Sequence, residues 1–208
     1  MKKRSRSSGR WLQEHFSDPF VQRARAEGWR SRAVYKLEQI DQREKLLRPG
    51  MVVVDLGAAP GAWSQYAQRR VGHRGRVVAL DILSMEAIEG VDILQGDFRE
   101  QDVVDRLLAM LPERGVDLVL CDIAPNLSGV DAIDQPRAMY LSELALDFAA
   151  RVLKPGGSAL IKVFQGAGFQ ELVGGARRRF GKVKLTKPVA SRARSAELYL
   201  LAADFRLV

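Results

Sequence analysis

Met51 to Val71 reads M-V-V-V-D-L-G-A-A-P-G-A-W-S-Q-Y-A-Q-R-R-V. Met51 to Leu56 is short and almost wholly apolar, as a strand buried on both faces should be, and from Ala62 to Val71 the pattern changes to a helix. The glycines at 57 and 61 mark a tight turn between the two. A strand, a glycine turn and a helix in that order open a parallel α/β sheet.

The rest of the chain extends this unit in both directions. Downstream, strands are predicted at Arg76 to Asp81, Val91 to Gln95, Val116 to Asp122, Ser158 to Phe164, Val183 to Thr186 and Glu197 to Phe205. Helices are predicted over Asp102 to Leu111, Pro136 to Leu153 and Phe169 to Phe180, the second of them stopped by Lys154-Pro155-Gly156-Gly157. Upstream, Ala33, Val34, Leu37 and Ile40 place a helix at about Ser31 to Lys45, with Lys36 near its start. The predicted fold is α/β and Rossmann-like. It has a mostly parallel seven-stranded sheet, helices on both faces and an antiparallel edge strand. One domain is expected at residues 31–208, behind a basic N-terminal arm at residues 1–30.

Composition sets the class. The 208 residues are 47% hydrophobic and 28% charged, enough to bury one core without disulfides or metal. Cys121 is the single cysteine and, with His15 and His73, offers no metal-ligand spacing, so no metal is expected. The lone cysteine, the missing h-region in M-K-K-R-S-R-S-S-G-R and the absence of a membrane-length apolar run together predict a cytoplasmic, non-membrane protein, and a monomer is expected.

The net charge of +8 is segregated. Residues 1–36 hold ten Lys/Arg against three acids, and residues 177–194 hold eight with no acid. The body between them is net negative. If the two basic segments meet, they form a groove for a polyanion, with Arg177, Arg178 and Arg179 among its contacts. Trp11, Trp29 and Tyr35 lie among the N-terminal arginines, placed either to stack on bases or to pack on the core.

The first turn points to a cofactor class. V-D-L-G-A-A-P-G-A-W (54–63) departs from G-x-G-x-x-G, because Ala59 replaces the second glycine and Pro60 follows. A pyrophosphate is therefore disfavoured. Gly57 and Gly61 let backbone approach a ligand, Asp81 ends strand two where ribose hydroxyls are held, and Asp97 follows strand three where an adenine amino group would lie. An adenosine ligand without phosphates is implied, of which S-adenosylmethionine is the common one.

Lys36, Asp122, Lys162 and Glu197 are spaced to converge, the last three at or near strand ends. Two amines and two carboxylates in one cleft push one another's proton affinities apart, which suits removal of a proton from a sugar hydroxyl. Asn126-Leu127-Ser128-Gly129 opens a stretch, 126–135, expected to be a loop that orders on binding.

These phrases resemble a known family. G-W-R-S-R-A-V-Y-K-L, D-L-G-A-A-P-G-A-W-S-Q, D-I-A-P-N-L-S-G, P-R-A-M-Y-L-S-E-L-A-L and K-P-x-x-S-R-x-R-S-x-E-x-Y are similar, in order and over Phe20 to Phe205, to the bacterial FtsJ/RrmJ (RlmE) ribosomal RNA methyltransferases. The resemblance implies a class I S-adenosylmethionine-dependent fold and methylation of a uridine ribose 2′-hydroxyl in large-subunit (23S) rRNA, on an assembled or assembling 50S subunit. It implies Lys36, Asp122, Lys162 and Glu197 as the catalytic set. Gly61, Trp63, Asp81, Asp97 and Asp122 would be cofactor contacts, beside Gly57 from the turn. Without it, Trp63 reads as a packing residue. Lys162 is the expected base or final proton acceptor, oriented by Asp122, with Lys36 and Glu197 holding the ribose. Two alternatives stand beside this reading, a tRNA ribose 2′-O-methyltransferase and a non-catalytic RNA-binding factor of ribosome assembly.

Overall fold

A computed structural model of the chain describes residues 18–125, 129–192 and 195–206, with the backbone alone at 131–133. Trp11, Arg194 and residues 126–128 of the expected binding loop lie outside the described residues. Along the chain the elements are α1 (Pro19–Ala26), α2 (Val34–Glu44), β1 (Val52–Leu56), α3 (Ala62–Val71), β2 (Arg76–Asp81), β3 (Val91–Gln95), α4 (Gln101–Met110), β4 (Val116–Cys121), α5 (Asp131–Val152), β5 (Leu153–Phe164), α6 (Phe169–Arg179), β6 (Phe180–Thr186) and β7 (Glu197–Phe205).

Among the described residues the strands form one seven-stranded sheet in the order β3-β2-β1-β4-β5-β7-β6. β1 to β5 pair in parallel. β7 enters between β5 and β6 and is antiparallel to both. The period of two along each strand divides the core. Val52, Val54 and Leu56 of β1 join a cluster with Val103, Leu107, Ala145 and Leu172, beneath α4, α5 and α6. Val53 points the other way, into a cluster with Leu37, Trp63 and Ala67 beneath α2 and α3. Helices thus cover both faces, as a mostly parallel sheet requires.

Three local readings change. α5 begins at Asp131, so Pro136, expected to open the helix, lies inside it and residues 131–135 are helical. That proline forfeits one intrahelical hydrogen bond. β5 begins at Leu153 and not at Ser158. Leu153 pairs with Val116 and Ser158 with Leu118, so Lys154 to Gly157 bulge out opposite Asp117, where Lys154 Nζ lies 2.6 Å from Asp117 Oδ1. The Pro-Gly-Gly run ends the helix as read, and it does so inside a strand that has already begun.

α1 is the third change. Asp18 caps it, accepting from Phe20 N at 2.9 Å, and Pro19 occupies its first turn. Val21 and Ala24 are buried, and Glu27 accepts from Arg23 Nε (2.7 Å), Trp29 Nε1 (3.0 Å) and the Tyr35 hydroxyl (3.0 Å). Burial pushes the Tyr35 phenol up to about 12, so it stays a donor. Trp29 lies under the Arg69 guanidinium at 3.9 Å. Trp29 and Tyr35 therefore pack.

Asp55 on β1 is fully enclosed. Its Oδ2 accepts from Ser64 Oγ at 2.6 Å, while Oδ1 has no hydrogen-bond partner among the described residues. Burial, with Asp122 and Asp81 adding to it, raises the carboxyl from 3.8 to about 7. Between those values the folded state holds a proton that the unfolded chain has released. The stability tied to this proton is complete below about pH 3.8, falls as pH rises through the window to about 7 and is absent above it. Asp55→Asn, which copies the protonated shape, is expected to melt with the wild type at pH 4 and a few degrees above it at pH 8. Equal differences in Tm at both pH values would refute the titration.

Candidate active site

The carboxyl ends of β1, β2, β4 and β5 form one rim, and two sites lie along it. At the first, Asp122 directly follows β4 and Lys162 lies two residues before the end of β5. Lys162 pairs with Tyr199, and Phe164 with Glu197, across the β5–β7 ladder. Directly opposed residues share a face, and so do residues two apart, so Lys162, Glu197 and Tyr199 all point to the α2 side. There α2 supplies Lys36 from its first turn. Four positions separated by as many as 161 residues converge for these local reasons.

Their side chains form a continuous chain of contacts. Lys36 Nζ lies 2.8 Å from Glu197 Oε1, Glu197 Oε2 lies 3.9 Å from Lys162 Nζ, and Lys162 Nζ lies 2.7 Å from Asp122 Oδ1. Lys162 also donates to the Asp122 carbonyl at 2.9 Å. Lys36, Lys162 and Glu197 are each buried, a costly placement for ions unless they are paired as here. Glu197 reaches both amines, so Lys36 and Lys162 are linked through a carboxylate. The wall is a cavity of about 420 Å³ lined by Arg32, Lys36, Arg192, Ser195 and Glu197.

Two partners escaped the sequence reading. Tyr199 donates its hydroxyl to Asp122 Oδ1 at 2.6 Å, and burial together with the Asp122 and Glu197 carboxylates keeps the phenol well above its ordinary value. The period of two from Glu197 would have found it. Ser142 of α5 donates to the Lys162 carbonyl at 3.0 Å and ties that helix to the rim. No pattern in the sequence marks it.

The second site lies between the glycine turn and β2. Gly57 has φ 72° and Gly61 φ 106°; a Cβ at Gly57 would strike Ile123, and one at Gly61 would come within 2.7 Å of Ile88 Cδ1. Asp81 accepts from Ala59 N and Leu83 N, both at 2.8 Å, through different oxygens, so each oxygen keeps acceptor capacity for a hydroxyl. Asp97 accepts from the backbone and guanidinium of Arg99, which lower its pKa and keep it ionised. Beside Asp81, Ile82 and Leu83 are 59% and 64% exposed, an apolar surface that a flat ring would cover. An adenosine group fits these residues. Trp63 is buried at the start of α3, donates Nε1 to the Ala33 carbonyl at 2.8 Å and packs on Tyr199 at 5.7 Å.

The basic segments divide. α6 runs back from the rim, so Arg177, Arg178 and Arg179 end up beside Phe180, which pairs with Phe205 at the far end of β7. Eight residue steps along β7 put them roughly 25 Å from Glu197. Of this segment's described residues, Lys187 and Arg192 lie beyond the rim end of β6, and Arg192 borders the cavity. Residues 177–194 therefore do not gather at the rim: they follow the edge strand β6, from Arg177–Arg179 at its far end, past Lys182 and Lys184, to Lys187 and Arg192 beyond its rim end. Several N-terminal arginines are likewise engaged internally. Arg32 Nη2 donates to the Ala190 carbonyl at 2.7 Å, and its Nε lies 2.9 Å from Asp18 Oδ2 without the alignment of a hydrogen bond.

Among the described residues no group of three or more His, Cys, Asp or Glu side chains could hold a metal ion, and no helix is long and apolar enough to cross a membrane.

Comparison with known proteins gives a consistent result. The family described as FtsJ-like methyltransferase matches residues 29–205. "Ribosomal RNA large subunit methyltransferase E" of Legionella pneumophila (strain Corby) is 59% identical over 204 residues, 98% of this chain and 99% of that one. The protein of the same name in Xanthomonas oryzae pv. oryzae (strain PXO99A) is 60% identical over 207 residues, 100% of this chain and 99% of that one. A crystal structure of a Plasmodium falciparum protein assigned as a ribosomal RNA methyltransferase superposes with a TM-score of 0.77 at 26% identity, covering 85% of this chain and 98% of that one.

Proposed function

Since the chain belongs to the FtsJ-like methyltransferase family, we propose that it methylates a uridine ribose 2′-hydroxyl in large-subunit (23S) ribosomal RNA, with Lys36, Asp122, Lys162 and Glu197 as the reacting set. Its methyl donor is S-adenosylmethionine. The RNA substrate is supported by relatives of about 60% identity over the full length. The reaction is supported above all by one observation, the continuous line of buried ion pairs from Lys36 to Asp122, open to a cavity with arginines at its edge.

S-adenosylmethionine supplies a methyl group on a positively charged sulfur, which an oxygen displaces in line. The side chains must hold that oxygen and remove its proton. Lys36 and Glu197, 2.8 Å apart on the cavity wall, hold the ribose. Lys162 Nζ takes up the hydroxyl proton after giving up one of its own to solvent. The ammonium so made lies 2.7 Å from Asp122 Oδ1 and 3.9 Å from Glu197 Oε2, where both carboxylates stabilise it. Tyr199, which remains a phenol, fixes the same Asp122 oxygen from behind. Arg192 at the mouth meets phosphate, and its contribution should fall with salt. The reading carries with it a cytoplasmic monomer acting on an assembled or assembling 50S subunit.

The test is transfer of labelled methyl to unmodified large subunits, free 23S rRNA and tRNA in parallel, with nuclease mapping. Label on a uridine ribose of 23S rRNA is expected. Label confined to tRNA would move the substrate to the transfer RNAs, and tight RNA binding without label would leave an assembly factor.

A further inference from the structure

The loop from Ile82 to Gly90, which closes one side of the adenosine pocket, has no burial to hold it. Every residue from 82 to 90 is exposed except Met85 and Ile88, which are only partly covered, and none lies in a helix or strand. Arg30 supplies the missing constraint. Its Nη1 donates to the Pro60 carbonyl (3.1 Å) and the Glu86 carbonyl (2.8 Å), and its Nη2 to the Ala87 carbonyl (2.8 Å). Its own backbone N–H is fixed on Gln65 Oε1 of α3 at 2.9 Å. One guanidinium thus bridges the glycine turn and the loop, across 30 and 56 residues of sequence. Asp81 grips the same turn from the other side through Ala59 N.

We propose that Arg30 is a positioning residue of the cofactor site, pinning the exposed 82–90 loop to the glycine turn and so fixing the pocket between them. Its planar fork is what the task needs: two nitrogens serve three carbonyls on two loops, which a lysine ammonium at the end of a flexible stem cannot span with the same geometry. The same segment continues through Arg32 to Lys36, so the cofactor pocket and the cavity at the reacting set share one strut. An arginine that composition assigns to polyanion binding is instead committed to backbone carbonyls.

The test is calorimetric titration of S-adenosylhomocysteine into the full chain as wild type, Arg30→Ala and Arg30→Lys, with hydrogen exchange on each. Arg30→Ala is expected to weaken binding about tenfold or more, the scale of losing charge-assisted hydrogen bonds. Exchange should rise within residues 82–90 and stay unchanged in β1 and β5. In turnover assays KM for the methyl donor should rise while kcat at saturation holds within about twofold of wild type. Arg30→Lys keeps the charge and carries the test if the alanine variant does not fold; it too should bind weakly. Affinity within twofold of wild type in a folded Arg30 variant would overturn the proposal. Because the ligand binds without RNA, that result is independent of which RNA is methylated.

Discussion

Lys162→Ala is expected to lower kcat at least about a thousandfold while leaving S-adenosylhomocysteine affinity within twofold. The size follows from removing a positioned proton acceptor, typically worth 10² to 10⁴ in rate, together with the alignment it provides. The selectivity follows from geometry. Lys162 contacts Asp122 and Glu197, and of the residues proposed to hold the cofactor it touches Asp122 and not the glycine turn, Asp81 or Asp97. Asp122 keeps its Tyr199 hydrogen bond in the variant, so the carboxylate is not released into the pocket. Single-turnover assays beside calorimetry decide the matter. Turnover within tenfold of wild type would take the proton-accepting role away from Lys162, and loss of ligand binding would show that the residue serves the pocket instead.

Glu197→Ala is the second large effect, and it acts on stability as well as rate. Glu197 is the counter-charge of Lys36 at 2.8 Å and stands 3.9 Å from Lys162, with all three side chains at most 10% exposed. Removing one partner of a buried pair strands the other charge, at a cost of roughly 3 kcal/mol. Methyl transfer should fall by about two orders of magnitude or more as the ribose loses its support. Lys36→Ala added to Glu197→Ala should recover most of the stability and none of the activity, because the stranded ammonium is gone while the site remains incomplete. Chemical denaturation of the four members of this cycle measures the coupling. A double variant as unstable as the sum of the singles would mean that the pair does not act as a unit.

Much of this was legible in the sequence, for identifiable reasons. β1, β2 and β4 are short, largely apolar runs ended by glycine or an acid, and β2, β3 and β7 begin and end at the residues read for them. The convergence of Lys36, Asp122, Lys162 and Glu197 was legible because strand ends on a parallel sheet meet at one rim. What failed depended on contacts distant in sequence. Pro136 looked like a helix start, yet α5 begins five residues earlier. Pro155-Gly156-Gly157 looked like a break between elements, and only the pairing of Leu153 with Val116 reveals a bulged strand. α1 was hidden by its arginines, although Asp18-Pro19 is an ordinary helix start. Charge counting was the weakest guide to where the basic side chains lie. It summed Arg177 with Arg192, which the turn from α6 into β6 sends to opposite ends of the sheet, and it counted Arg30 and Arg32 as available when backbone carbonyls already engage both.

The insertion of β7 between β5 and β6 has a consequence in time. A ribosome delivers β7 after every strand it must join, and until it arrives β5 and β6 have no common partner to hold them in one sheet. Lys36, Asp122 and Lys162 are by then already made, yet Glu197 and Tyr199, which complete the ion-pair line, come on that last strand. A growing chain therefore carries three members of the proposed reacting set before the sheet is closed, and β7 completes the sheet and the ion-pair line in one step.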